Sequence, residues 1–218
     1  MKIKWYGHAA FLITSAQGVK IVTDPYQPGA FDGKLSYGKI DDRVDIVLVS
    51  HDHADHNHAE DLPGSPEVIK GNGSKTSKGI AIRGVATFHD PSQGSERGDN
   101  TVFTWNVDGV QICHLGDLGH VLSRKELAEI GPVDILLAPV GGFFTIDAKE
   151  ASQVAESIKP KVLIPMHFKT EKCGFPIAPV EDFLKGKARV RQPGTSEAAF
   201  DKASLPSEME IVVLTHAL

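Results

Sequence analysis

The chain has 218 residues, 41% of them hydrophobic and 23% charged, and a formal net charge of −5. That apolar share excludes an intrinsically disordered chain, and an acidic balance with no Lys/Arg run excludes the basic footprint of a nucleic-acid binder. No apolar stretch approaches the roughly 20 residues of a membrane-spanning helix.

The N-terminal stretch MKIKWYGHAAFLI lacks the layout of a secretion signal. Only Cys113 and Cys173 are present, too few for a disulfide framework. They read as buried thiols, and the expected location is the cytoplasm. There is no internal repeat, low-complexity tract or linker, so a single domain is expected over residues 1–218.

The first half reads as strands and turns. KIKWY (2–6), AFLIT (10–14) and VKIVT (19–23) are short, rich in β-branched and aromatic residues, and separated by Gly or polar turns. DIVLVS (45–50) is nearly continuous in apolar residues, as expected of a strand covered on both faces. Further strands are predicted at 80–87, 101–107 and 110–115, the last two joined by the hairpin pair Asp108-Gly109. The second half alternates helix and strand. Ser123 with Glu126, and Asp147 with Glu150, have capping-box spacing and should open helices. Ala148, Ala151, Ala155 and Ile158 form the apolar stripe of the second helix, which Pro160 ends. Buried strands are expected at 133–140 and 161–165, and two more in the tail beyond Glu181, at 188–191 and 210–214. Sheets first and strand–helix alternation later predict two packed sheets with helices outside.

The chemistry is concentrated in SHDHADHNH, residues 50–58, directly after the strand 45–50. In an extended segment alternate side chains share a side, so His51 and His53 can grip one ion. A turn near Ala54 then aims Asp55 and His56 at a neighbouring point. Imidazole beside carboxylate suits zinc, iron, manganese or nickel. Each of His89, Asp117 and His167 stands just past another apolar run, where α/β folds gather their ligands. No Ser–His–Asp or Cys–His arrangement competes with this cluster.

HDHADH, then His89, Gly116-Asp117 and Pro165-Met166-His167, resemble the metallo-β-lactamase superfamily in the order of their motifs. More narrowly, GHAAFLI (7–13), TDP (23–25), GGFFT (141–145) and PMHF (165–168) resemble the UlaG-like, UPF0173-type metal-dependent hydrolases. The resemblance implies an α+β protein, a four-layer αββα sandwich with two mixed sheets flanked by helices and a dinuclear metal site along one edge. His51, His53 and His89 would hold the first metal. Asp55, His56 and His167 would hold the second, Asp117 would bridge the two, and Asp24 would support the ligands from behind. Two divalent ions are implied, zinc first, with manganese, iron or nickel as alternatives. They would generate a hydroxide for attack on an ester, lactone or phosphodiester, with Asp55 and Asp117 as catalytic carboxylates. Oxygen-reducing di-iron relatives carry Glu where His53 stands, so hydrolysis is favoured over redox chemistry. The competing expectation is a metal-binding scaffold without turnover, against which all seven ligand positions being present argues.

His8, Asn100, Phe144 and Lys169 are the candidate substrate-pocket residues, with Lys172 a further lysine for an anionic substrate. The partners expected are a small molecule, neither nucleic acid nor membrane, and in some settings a second copy of the chain. The polar loop 92–100 is a candidate lid. His58 and His216 are expected at the surface and His114 in the core, while His120 could face the pocket.

Overall fold

The computed structural model describes all 218 residues. Its strands, in chain order, begin with β1 (Lys2–Gly7), β2 (Ala10–Thr14), β3 (Lys20–Thr23), β4 (Ile46–Val49) and β5 (Glu67–Lys70). β6 (Gly73–Ser77), β7 (Ile80–Phe88), β8 (Asp99–Val107), β9 (Val110–His114) and β10 (Ile135–Pro139) follow. The tail adds β11 (Val162–Met166), β12 (Val190–Arg191), β13 (Glu197–Ala199) and β14 (Glu210–Val212). One sheet has the order β13-β1-β2-β3-β4-β5 and the other β12-β14-β11-β10-β9-β8-β7-β6. Both are mixed, as expected. β5 and β6 were not foreseen, because their largely exposed side chains give no apolar alternation.

Alternation along the strands of the first sheet separates two cores. Ile3, Trp5, Phe11, Ile13, Ile21, Ile46 and Leu48 face the eight-stranded sheet and pack with residues such as Val102, Trp105, Ile112 and Leu137. Their neighbours Tyr6, Leu12, Val22, Val47 and Val49 face outward into a smaller cluster with Tyr26, Leu35, Tyr37 and Phe175. That outer face is therefore covered by irregular chain instead of a long helix. Ala30–Gly33 makes only a tight turn there, with Phe31 and Asp32 in left-handed backbone.

The helices lie on the other side. Arg124–Ile130 packs on β7 and β8, and Ala148–Ile158 packs on β10 and on the short helix Val180–Leu184. Both predicted capping boxes are formed, by Ser123 with Glu126 and by Asp147 with Glu150. The longer helix buries Ala151, Val154 and Ala155, and left-handed Lys159 stops it before Pro160. Asp108 and Gly109 both take positive φ in the β8–β9 hairpin, as a type I′ turn requires. No helix is long and apolar enough to cross a membrane. In the tail, β13 returns to pair with β1 of the first sheet, while β12 and β14 extend the second.

Strand direction decides where the chemistry gathers. β1 and β3 run antiparallel to β2, and β4 runs parallel to β3, so the C-terminal ends of β1, β3 and β4 share one edge. β7 and β9 are both antiparallel to β8, and β10 and β11 continue parallel to β9. Their ends share an edge too. His8, Asp24 and His51 follow β1, β3 and β4; His89, Asp117 and His167 follow β7, β9 and β11.

Candidate metal centre

The site is built on a buried carboxylate. Asp24, 1% exposed, accepts from the Ser50 backbone N–H at 2.7 Å and from Ser50 Oγ at 2.6 Å. Its Oδ2 also lies 2.8 Å from His56 Nδ1. Ser50 Oγ is in turn 2.9 Å from His51 Nδ1. The hydroxyl gives its proton to Asp24, so it accepts from His51 Nδ1–H, and the same logic puts a proton on His56 Nδ1. His51 is thereby left with a free Nε2 lone pair, and His56 offers its own once the proton on Nε2 is displaced. Asp24, expected behind the ligands, occupies that place.

The inward atoms converge. Asp117 Oδ2 stands 3.2 Å from His56 Nε2, 3.2 Å from His89 Nε2, 3.4 Å from His167 Nε2 and 3.9 Å from His51 Nε2. Ligand atoms of His51, His53 and His89 lie within 4.8 Å of one another, and so do those of His51, His56 and Asp117. A third group of the same closeness joins His8 to Asp55, His56 and His167. All seven expected ligand residues are therefore brought together. His8, expected in the substrate pocket, is fully buried: its Nε2 is 3.1 Å from Asp55 Oδ2 and its ring 4.1 Å from that of His167. His8, Asp24 and His167 all hold left-handed backbone, strain of the kind that collects at functional sites.

The electrostatics explain why the cluster needs a cation. His51 Nε2, His56 Nε2, Asp117 Oδ1, and the Nδ1 atoms of His8, His89 and His167 are buried without a hydrogen-bond partner. Unpartnered buried polar atoms are rare and costly, and a cation among them would satisfy several at once. Burial, followed by His56 nearby, lowers His51 to about 3, and burial lowers His8 to about 4, so both rings are neutral. Burial alone would also lower His56, but Asp117 and Asp55 outweigh it and hold its pKa well above the usual value. Burial would raise Asp117 and Asp55, yet the histidines around them keep both carboxyls below the ordinary range. Nitrogen and oxygen donors of this kind suit divalent transition ions.

Asn100, Lys169 and His120 fall elsewhere than expected. Asn100, expected in the pocket, is 2% exposed: Oδ1 accepts from Asp117 N at 3.0 Å, and Nδ2 donates to Thr87 Oγ1 and Leu115 O. It pins the backbone of Asp117. Lys169 donates from Nζ to Phe175 O at 2.8 Å. His114 Nδ1 accepts from Gly116 N at 3.0 Å, so its Nε2–H donates to Ala9 O and holds the turn into Asp117. His120 Nε2 accepts from Phe88 N, which ties it to β7 instead of the pocket. Of the surface pair, His58 contacts Asp61 and half-buried His216 contacts Glu171. Phe144 is half-buried, 5.7 Å from the ring of Phe175, which packs 5.8 Å from His8.

The candidate lid is a frame. Asp90, directly after His89, is buried and accepts from the backbone N–H groups of Ser92, Gly94, Glu96 and Arg97 at 2.8–3.1 Å. Sequence reading passed over it, since an Asp before Pro91 reads as an ordinary turn residue. Gly119 closes on the same place: a Cβ there would run into the His89 carbonyl and the Asp90 nitrogen. Outside exposed His53 an open cleft of about 500 Å³ is lined by His51, His53, Lys70, Arg97 and Thr101 among others.

Comparisons with known proteins agree with this arrangement. Residues 2–167 match the family model of the beta-lactamase superfamily domain. A UPF0173 metal-dependent hydrolase of Carboxydothermus hydrogenoformans is 33% identical, the match covering 78% of this chain and 85% of that protein. Another, from Pyrococcus furiosus, is 33% identical over 90% of this chain and 98% of its own. A crystal structure from Thermotoga maritima, described as a candidate zinc-dependent hydrolase of the metallo-β-lactamase superfamily, superposes with a TM-score of 0.80. It is 39% identical, covering 98% of this chain and 97% of that one.

Proposed function

The chain belongs to the metallo-β-lactamase superfamily, among the UPF0173 metal-dependent hydrolases, and from that premise we propose that it hydrolyses a small anionic ester, lactone or phosphodiester at a pair of divalent cations. One observation carries the reading: His51, His56, His89 and His167 turn Nε2 atoms towards Asp117 Oδ2 at 3.2–3.9 Å, and the ligand atoms of His53 and Asp55 lie within 4.8 Å of their own neighbours in the cluster. His51, His53 and His89 would hold one ion and Asp55, His56 and His167 the other, with Asp117 between the two sets as the residue that could serve both, since a carboxylate has two oxygens and imidazole one lone pair per tautomer. When bound, such ions polarise the scissile group and lower the pKa of a nearby water from 15.7 towards about 7.

The chain's own residues supply position and proton handling. Asp55, kept ionised by His56 and His8, orients the attacking water and accepts its proton. Asp24 and Ser50 fix the orientations of His56 and His51, so both turn Nε2 inward. Asn100 fixes the backbone of Asp117. Phe144 packs on Phe175, which packs beside His8 at the edge of the cluster. Zinc suits an imidazole-rich site first, and two free buried thiols fit a reducing cytoplasm.

The test is turnover of a panel holding a small ester, a lactone and a phosphodiester, with protein whose metal content has been measured. Expected is hydrolysis of at least one class, abolished by chelator and restored by zinc or manganese. Protein holding two ions per chain that turns over none of them would overturn the proposal and favour a binding role.

A further inference from the structure

We propose that Arg97 is the anchor for a second anionic group of the substrate, remote from the bond cleaved, so that the substrate carries a carboxylate or phosphate at its far end; this deepens, and rests on, the hydrolase reading above. Arg97 lines the cleft together with His51 and His53. On its other side its guanidinium lies 5.9 Å from the centre of the Phe144 ring. Phe144 leads back through Phe175 to His8. Arg97 thus stands between the cleft at His51 and His53 and the ring of Phe144.

Three features separate it from an ordinary surface arginine. Its backbone is fixed: Arg97 N donates to buried Asp90 Oδ2 at 2.8 Å, so the loop that carries it is wound before any ligand arrives. Its guanidinium is within cation–π reach of the Phe144 ring, and a guanidinium can fork onto a carboxylate or phosphate. Its charge is uncommitted within the cleft. Lys70, the other cation of the lining, is bonded to Asp52 at 2.7 Å, whereas Arg97 meets only its neighbour Glu96, at 3.5 Å and outside the lining. Glu96 is itself held by Ser92 Oγ. Asp99, the one lining carboxylate with no bonded lysine or arginine, repels an anion placed beside it, so the bound group has to sit against Arg97 and away from Asp99. An anion bridging from the metal cluster to Arg97 would find positive charge at both ends. A substrate with a single anionic group would use one end only.

The experiment measures binding, so it does not depend on turnover. Zinc-loaded protein of verified metal content is titrated with straight-chain dicarboxylates from succinate to suberate. Each is compared with the monocarboxylate of equal carbon count, which has a methyl group where the diacid has its second carboxylate. For wild type, at least one diacid is expected to bind 10-fold or more tightly than its monoacid. Arg97→Met should remove that preference and Arg97→Lys should keep part of it. Monoacid affinity should be unchanged in both variants, which shows that the metals are intact. The proposal is overturned if no diacid is preferred by wild type, or if Arg97→Met keeps the full preference. Failure of the hydrolase reading would look different: diacid preference lost with Arg97→Met, but no turnover of any ester, lactone or phosphodiester.

Discussion

At the scale of single residues, Asp117 carries the largest consequence. Its Oδ2 faces four histidine nitrogens while Oδ1 is buried without a partner. Asp117→Ala should fold, because its neighbours in the cluster are held by Asp24, Ser50 and His8 and not by Asp117 alone. Elemental analysis should find preferential loss of one ion, and turnover should fall by at least about 100-fold, the upper end of what losing a supporting group alone costs. Two tightly held ions with normal turnover in that variant would remove the bridging role. His56 gives a second expectation, with a definite sign. Asp117 and Asp55 hold its pKa well above the usual value, so the metal-free protein carries a proton there at neutral pH. His51, lowered to about 3, carries none. An ion binding at His56 must displace that proton, and one binding at His51 need not. Calorimetry in buffers of different ionisation heat should therefore report proton release when the His56 ion binds, with affinity rising with pH. The ligands themselves were legible in the sequence because strand ends deliver them: a buried run followed by His or Asp, four times over. Asp24's place was readable only through the family resemblance, and Asn100 and His8 were misplaced, since one sequence does not reveal whether a polar side chain turns towards a cleft or the interior.

At the scale of elements, the segment from Asp90 to Gly98 behaves as a wound loop with a carboxylate at its hub. Asp90→Ala should leave the sheets in place and release the loop. Amide hydrogen exchange at residues 92–97 should quicken while that of β7 and β8 stays slow; equal protection in variant and wild type would deny Asp90 this role. Gly119→Ala reaches the same loop from the other side by pressing on His89 and Asp90. Overpacking of this kind costs about 1–3 kcal/mol, readable as a lower denaturation midpoint. Helices were the easiest elements to anticipate, because Ser123 and Asp147 announce their starts with side-chain chemistry. The edge strands β5 and β6 and the loop around Asp90 are held by backbone pairing and by N–H groups meeting a carboxylate, neither of which leaves a periodic trace.

At the scale of the whole molecule, the candidate centre ties the two sheets together. His51, His53, Asp55 and His56 follow a strand of the six-stranded sheet, while His89, Asp117 and His167 follow strands of the eight-stranded one. Ion loading should therefore stabilise the sandwich as a unit. An ion held at a hundred times its Kd contributes about 2.7 kcal/mol, a rise in Tm of roughly 5–10 °C for a chain of this length. A melting temperature unchanged by verified metal removal would contradict it. The two-sheet plan was readable from the order of strand-like and helix-like stretches. The outer cover of the six-stranded sheet was not, because its apolar residues, Tyr26, Leu35, Tyr37 and Phe175 among them, are scattered through loops with no period to betray them. The distribution of the ligands also sets a clock on biosynthesis. During translation His51, His53 and His56 leave the ribosome long before His167, which cannot take its place until β11 has joined β10. A nascent chain can hold an ion loosely at best, and firm capture has to wait until both halves of the sandwich have met. On the two-ion proposal, metal acquisition would mark the completion of folding, and a chain stalled before β11 would be distinguishable from a finished one by its inability to keep the second ion.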